Sequence, residues 1–261
     1  MRRLYESKIF CGITGVVGIL IVAEIAGRSG LIPPSAFPLA STVLTDAAGL
    51  AADPDFLLDV GVTFLGWAAG LVITVLVAVP LGLLLGSVPP VERALRPFVE
   101  FMRPIPSVAL IPLAAFLFSD FLELKVAMIV YASTWPILIN TMYGLKEVDP
   151  VAKETLRSFG FGRMAVLMRV SLPSTAPFIA TGIRVAAGIA LILAVSTEFL
   201  TGGSEGIGTF IILAGSSPDG TALTVAATVW AGLLGLAVNA LFVKAERRAF
   251  HWHAAKIGVQ T

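Results

Sequence analysis

The residues best placed to act on something else lie between Asp149 and Pro173, DPVAKETLRSFGFGRMAVLMRVSLP. This polar stretch sits between two apolar runs and carries Lys153, Glu154, Arg157, Arg163 and Arg169. One conspicuous charged hairpin in so apolar a chain is suited to receiving something, so its chemistry is that of recognition. Asp149-Pro150 predicts a helix start, with Asp accepting from free backbone N–H groups and Pro at the first helical position. Val151, Thr155 and Phe159 then share one face at i, i+4 and i+8, and Lys153 and Arg157 share another. Gly160 and Gly162 bracket Phe161 and stop the helix. A second short helix is expected over Arg163–Val170, ended by Pro173. Spacing alone fits two roles: an amphipathic hairpin resting on lipid headgroups, or a lever seated in a groove of a partner protein.

A second group of polar residues lies in or near apolar runs. Glu24, Glu100, Arg103, Arg184 and Glu198 each need a partner or water, because a charge facing hydrocarbon is expensive. Glu24, Arg103 and Glu198 are near enough to run ends to reach a surface. Arg184 calls for a partner on another segment, since Glu198 is many turns away on its own helix. Ser133, Thr134, Ser196 and Thr197 offer the weak hydrogen bonds suited to a passing solute. Asn140 and Asn239 read first as helix-to-helix bridges. The candidate pathway residues are thus Arg103, Ser133, Thr134, Asn140, Ser196, Thr197 and Glu198. His251-Trp252-His253 fits a tail at headgroup level better than a metal site.

The elements that must position these groups follow from composition. The chain has 261 residues, 57% hydrophobic and 13% charged, with mean hydropathy +0.92. A soluble domain carries about 25% charged residues, so the class is an all-α integral membrane protein. Net charge +1 implies no attraction to nucleic acid. Six runs are long enough to cross a bilayer, at about 9–27, 60–87, 98–118, 123–143, 175–200 and 221–243. Glu24 stands where a signal-peptide cleavage site would have to be, so the first run is expected to stay as a helix. Of the 18 Lys and Arg residues, all but Arg28 and Lys125 fall on one side of that topology. Positively charged flanks stay inside, so both termini and the 149–173 hairpin are expected in the cytoplasm. The whole chain, 1–261, reads as one transmembrane domain.

Between the runs, Ala36–Leu50 fits a short surface helix, and Asp46, Asp53, Asp55 and Asp59 read as solvated loop carboxylates. Pro104, Pro106 and Pro112 interrupt helix hydrogen bonding near the start of the third run. The freed carbonyls must meet protein or water. Residues 201–220 are too short to span and fit a dipping loop or a short interfacial helix.

The motifs also carry a resemblance. Glu154-Thr155-Leu156, Gly160 and Val170-Ser171-Leu172-Pro173 resemble the EAxxxG hairpin and I/V-x-L-P of ABC importer permeases, with Thr155, Leu156 and Phe161 as departures. Arg103-Pro104-Ile105-Pro106-Ser107-Val108-Ala109-Leu110-Ile111-Pro112-Leu113 is similar to the R-P-x-P-x-x-A-x-x-P-L signature of the nitrate/sulfonate/taurine branch. Thr181-Gly182-Ile183-Arg184, Glu198-Phe199-Leu200 and Gly206-Ile207-Gly208 resemble that branch too. The likeness runs from about Gly30 to Lys244. Gly66 stands where the branch has an arginine, so no role carries over there. The resemblance implies a type I importer fold in a prokaryotic inner membrane. It also implies partners: two cytoplasmic ABC ATPase subunits that hold ATP and Mg, a second copy of the permease, and an extracytoplasmic substrate-binding protein. It makes Val151, Lys153, Glu154, Thr155, Leu156, Arg157, Phe159 and Gly160 the expected ATPase-coupling residues. The chain itself holds no cofactor in this reading, and it contains no G-x-x-x-x-G-K-[ST] phosphate loop. A membrane-embedded enzyme would need a constellation such as G-x-S-x-G or H-E-x-x-H, which is lacking. An ion channel could use Gly202–Gly208 as a filter, but would leave the hairpin without a task.

Overall fold

The computed structural model describes residues 8–30, 33, 37–203, 205–217 and 220–250. The basic start at Arg2 and Arg3 and the His251–His253 tail lie outside them. The described residues form helices: α1 Lys8–Arg28, α2 Ala40–Leu50, α3 Pro54–Ser87 and α4 Pro89–Met102. A single 3₁₀ turn, Ser107–Leu110, leads into α5 Ile111–Ala115. Then come α6 Phe121–Lys146, α7 Pro150–Ser158 and α8 Arg163–Val166. A π-helical turn, Leu167–Ser171, joins α8 to α9 Leu172–Thr201, and α10 Ile207–Gly215 and α11 Thr221–Ala249 follow.

The contacts divide the chain into two compact units, residues 1–62 with 202–233 and residues 63–201 with 234–261. In the first, Phe56 is fully buried and meets Phe210 and Trp230 edge-on, at ring-centre distances of 4.9 and 6.0 Å. Trp230 Nε1 donates to the Ala47 carbonyl at 2.9 Å, tying α11 to α2. Glu24 of α1 does not need to reach a surface. Its carboxylate accepts from the Ser41 amide and hydroxyl at 3.1 and 2.9 Å, which caps the first turn of α2. Asp59 likewise departs from the solvated-loop expectation, accepting from the Gly206 amide at 2.6 Å ahead of α10.

The second unit is built on α6 and α9. Gly144 and Gly182 let the two helices touch: a Cβ at Gly144 would fall 2.7 Å from Phe178 Cβ, and one at Gly182 3.1 Å from Ile137 Cα. Close backbone approach through small residues is the usual packing device where lipid supplies no hydrophobic drive. Ala132, Ile137, Ala186, Ala187, Ala190 and Ala194 fill the seam. α3 packs on α6 by the same device. Gly66, Gly70, Gly82 and Gly86 face Lys125, Ile129, Thr141 and Leu145 respectively. The same offset separates all four pairs, so α3 and α6 run parallel.

That register decides the number of crossings. Among the described residues, five helices are long and apolar enough to span a membrane: Cys11–Arg28, Pro54–Ser87, Phe121–Lys146, Arg163–Thr201 and Thr221–Ala249. The third expected run is not a single helix over 98–118. It is α4 followed, after an 80° bend, by Ser107–Ala115. Since α3 and α6 are parallel, the chain between Ser87 and Phe121 must return through the full depth. It does so along α6: Glu92 of α4 lies 2.6 Å from Lys146, the Met102 carbonyl accepts from Tyr131 at 3.1 Å, and Pro112 and Leu124 border one cavity. The bent pair is therefore the sixth crossing. Pro104 and Pro106 set the break, and the Tyr131 hydroxyl occupies a carbonyl at the helix end.

Candidate functional site

The hairpin begins as its sequence dictates. Asp149 Oδ1 accepts from the Val151 amide at 2.8 Å, and Pro150 holds the first helical position of α7. Its end is a Schellman cap: the Phe161 amide reaches the Leu156 carbonyl at 3.1 Å and the Gly160 amide the Arg157 carbonyl at 2.9 Å. Gly160 adopts φ +80°, yet a Cβ there would meet nothing within 4 Å. Backbone angle, not space, calls for glycine. Gly162 sits at φ −69° in extended backbone, so no such demand applies to it.

The second short helix differs from expectation. It does not end at Pro173 but runs on into α9 as one 39-residue helical stretch, Arg163–Thr201. The π turn explains this. The Leu172 amide bonds the Leu167 carbonyl, five residues back, and the widened turn takes up a proline whose ring would crowd the carbonyl four residues back in an α-helix. The second half of the hairpin is thereby helically continuous with α9.

No residue of α7 is buried. Val151 is 66% and Phe159 78% exposed, and Thr155, Glu154 and Arg157 are exposed beside them. Leu156 is half-buried. Lys153 turns the other way, donating from Nζ to the Leu145 carbonyl at the end of α6 at 3.2 Å, where a cation suits the helix dipole. Phe161 is held by the Arg169 guanidinium, 4.9 Å from its ring centre. Met164 and Met168 extend the exposed apolar surface. The result is an apolar stripe with a polar rim at Glu154 and Arg157, carried on one capped helix.

Inside the bundle, Ser133, Thr134 and Asn140 bond backbone carbonyls of helices. Ser133 is fully buried and donates to the Ala186 carbonyl at 3.3 Å, joining α6 to α9. Thr134 donates to the Val130 carbonyl at 2.6 Å and Asn140 to the Pro136 carbonyl at 2.8 Å, both within α6. Ser196 is half-buried and Thr197 is buried with its hydroxyl unpartnered. Glu198 does not reach a surface: it is 3% exposed, 2.6 Å from Lys125 Nζ, and accepts from Thr63 at 2.9 Å. Residue types alone did not single out Lys125 as its partner. The signal was there, because Lys125 opens α6 and Glu198 closes α9, so antiparallel packing brings them to one level. Gly66 makes the space, since a Cβ there would lie 2.6 Å from Lys125 Cδ.

Arg184 finds its partner on another helix, as its position required. Nη1 lies 3.4 Å from Glu246 Oε2 of α11, and Thr181 donates to the other oxygen of Glu246 at 2.8 Å. These groups, with Asn140, Phe178 and Arg247, border an open cavity of about 570 Å³. Arg103 follows α4 and lies in a cleft between α4 and α6.

Residues 78–251 match the model of the family described as binding-protein-dependent transport system inner membrane component. The chain belongs to that family. A nitrate import permease protein of Leptolyngbya laminosa is 32% identical over 174 residues, 67% of this chain and 62% of that protein. The aligned part thus spans less than two thirds of that relative's length. A bicarbonate transport system permease protein of Synechocystis sp. is 29% identical over 219 residues, 80% of this chain and 78% of its own length. Among solved structures, a bacterial ABC transporter that imports alginate superimposes with a TM-score of 0.66 at 14% identity, covering 96% of this chain and all (100%) of that one. At that identity the likeness is one of fold, and the family model carries the rest.

Proposed function

We propose that this chain is the permease subunit of an ABC importer, a non-catalytic membrane path for a small anionic solute, driven by separate ATPase subunits. The observation that carries the reading is α7: a helix capped at both ends whose Val151, Thr155 and Phe159 face away from the chain. A family member without a phosphate loop must receive its ATP-derived work from another polypeptide, and this stripe is shaped for a groove. Val151, Leu156 and Phe159 seat the helix, Glu154 and Arg157 form its polar rim, and Thr155 lies between. Lys153 and Gly160 hold its two ends in place. Because the hairpin is continuous with α9, closure of an ATP-loaded motor dimer would move the near half of α9.

Two copies of the chain, two ATPases holding ATP and Mg, and an extracytoplasmic binding protein complete the assembly in this reading. The Lys/Arg distribution supports a cytoplasmic side for both termini and α7 in a prokaryotic inner membrane. Relatives named for nitrate and bicarbonate support a small anion as solute. The test is copurification of an ATPase and solute-stimulated ATP hydrolysis in proteoliposomes, with wild type beside Glu154→Lys. Loss of coupling with unchanged membrane insertion is expected, and equal coupling in both would defeat the proposal.

A further inference from the structure

The cleft between α4 and α6 belongs neither to the exposed hairpin nor to the buried ion pair. Its volume is about 290 Å³, and its walls include Glu92, Arg96, Val99, Glu100, Arg103 and Lys146. α4 is half of the return crossing, yet none of its residues is buried. A segment charged at Glu92, Arg93, Arg96, Glu100 and Arg103 does not cross hydrocarbon with that face against lipid. The charged face therefore meets water, as irregular or polar backbone at membrane depth must.

Within the cleft the charges do not cancel. Arg96 Nε holds Glu100 at 2.7 Å, and Lys146 Nζ holds Glu92 at 2.6 Å. Both carboxylates are engaged. Arg103 has no ion pair or side-chain hydrogen bond among the described residues, and it is exposed. It stands just past the end of the 14-residue α4, about 21 Å along the helix axis from Pro89. The cleft thus carries two neutralised pairs and one leftover guanidinium, a turn beyond Glu100.

We propose that this cleft is a water-filled vestibule for small anions, with Arg103 as the residue they contact. The proposal rests on the importer reading and adds where the solute passes and what draws it there. Neutralised walls leave a single positive charge to focus the field, which attracts an anion without trapping it. A guanidinium also matches the planar oxygens of an oxyanion in a fork of hydrogen bonds.

The experiment uses the full chain in liposomes, with any copurifying subunits, carrying Cys11→Ser and Val99→Cys. The thiol is treated with anionic sulfonatoethyl and cationic trimethylammonioethyl methanethiosulfonates at low ionic strength. Both should react, and the anionic-to-cationic rate ratio should fall about fivefold on Arg103→Gln, as for one unit charge about 8 Å away acting with opposite sign on the two reagents. Arg103→Lys should keep the ratio. Failure of either reagent to reach Val99→Cys means that the cleft is dry or covered and overturns the proposal. A ratio unmoved by Arg103→Gln also overturns it. ATP hydrolysis on the same preparations separates the two readings: missing ATPase partners defeat the importer, while the labelling ratio still judges the cleft.

Discussion

Helix α9 carries two ion pairs, one in its last turn and one near its middle, and the two are built differently. At Glu198 the pair with Lys125 is 2.6 Å long, its side chains are 2% and 6% exposed, and Thr63 supplies a further bond. At Arg184 the pair with Glu246 is 3.4 Å long, with side chains 34% and 23% exposed beside an open cavity. The first pair pins three helices at the last turn of α9, while the second joins α9 to α11 beside the cavity. A buried pair is expensive to break because the surviving charge is left without water. A half-exposed pair is exchanged for water at little cost. The difference gives the helix one dry ion pair and one that water can replace.

The comparison can be broken most forcefully at the buried end. Lys125→Met should lower unfolding stability by about 3–5 kcal/mol, leaving Glu198 unpaired, and Glu198→Leu added to it should recover most of the loss. Melting of the purified chain in detergent or nanodiscs reads both. A small effect of the single variant would mean that water reaches this end, and the contrast would fail.

Next in size is the seam between α6 and α9. Gly144→Ala puts a methyl within 2.7 Å of Phe178 Cβ, and overpacking of this kind costs about 1–3 kcal/mol. Its effect should appear in stability and coupling together.

The hairpin sharpens the contrast at smaller cost. Gly160→Ala forces a side chain into φ +80°, a penalty of about 1–2 kcal/mol borne locally. ATPase docking should weaken while the melting of the bundle stays put. Gly162→Ala is the control, since its backbone is already in a region open to any residue. Equal effects from both glycines would contradict the assignment of the cap.

The smallest effect is expected at the half-exposed pair. Arg184→Gln should change stability by no more than about 1 kcal/mol, and added salt should change the wild type as little. A loss matching that of Lys125→Met would erase the distinction between the two pairs.

Much of this was legible in the chain. Composition and run length determined an all-helical membrane protein, and Asp149-Pro150 and Gly160 determined where α7 starts and stops, because capping and backbone angle are local properties. The poor fit of Pro173 to a helix stop was not legible, since a π turn several residues earlier removes the conflict. Only the tertiary structure decided that Glu198 meets Lys125 across Gly66, that Asp59 and Glu24 secure neighbouring helices, and that a bent pair makes the sixth crossing. The physical reason is common to these cases. Hydropathy and caps depend on residues a few positions apart, whereas the partner of a buried charge and the parallel register of α3 with α6 depend on which glycines let which helices touch.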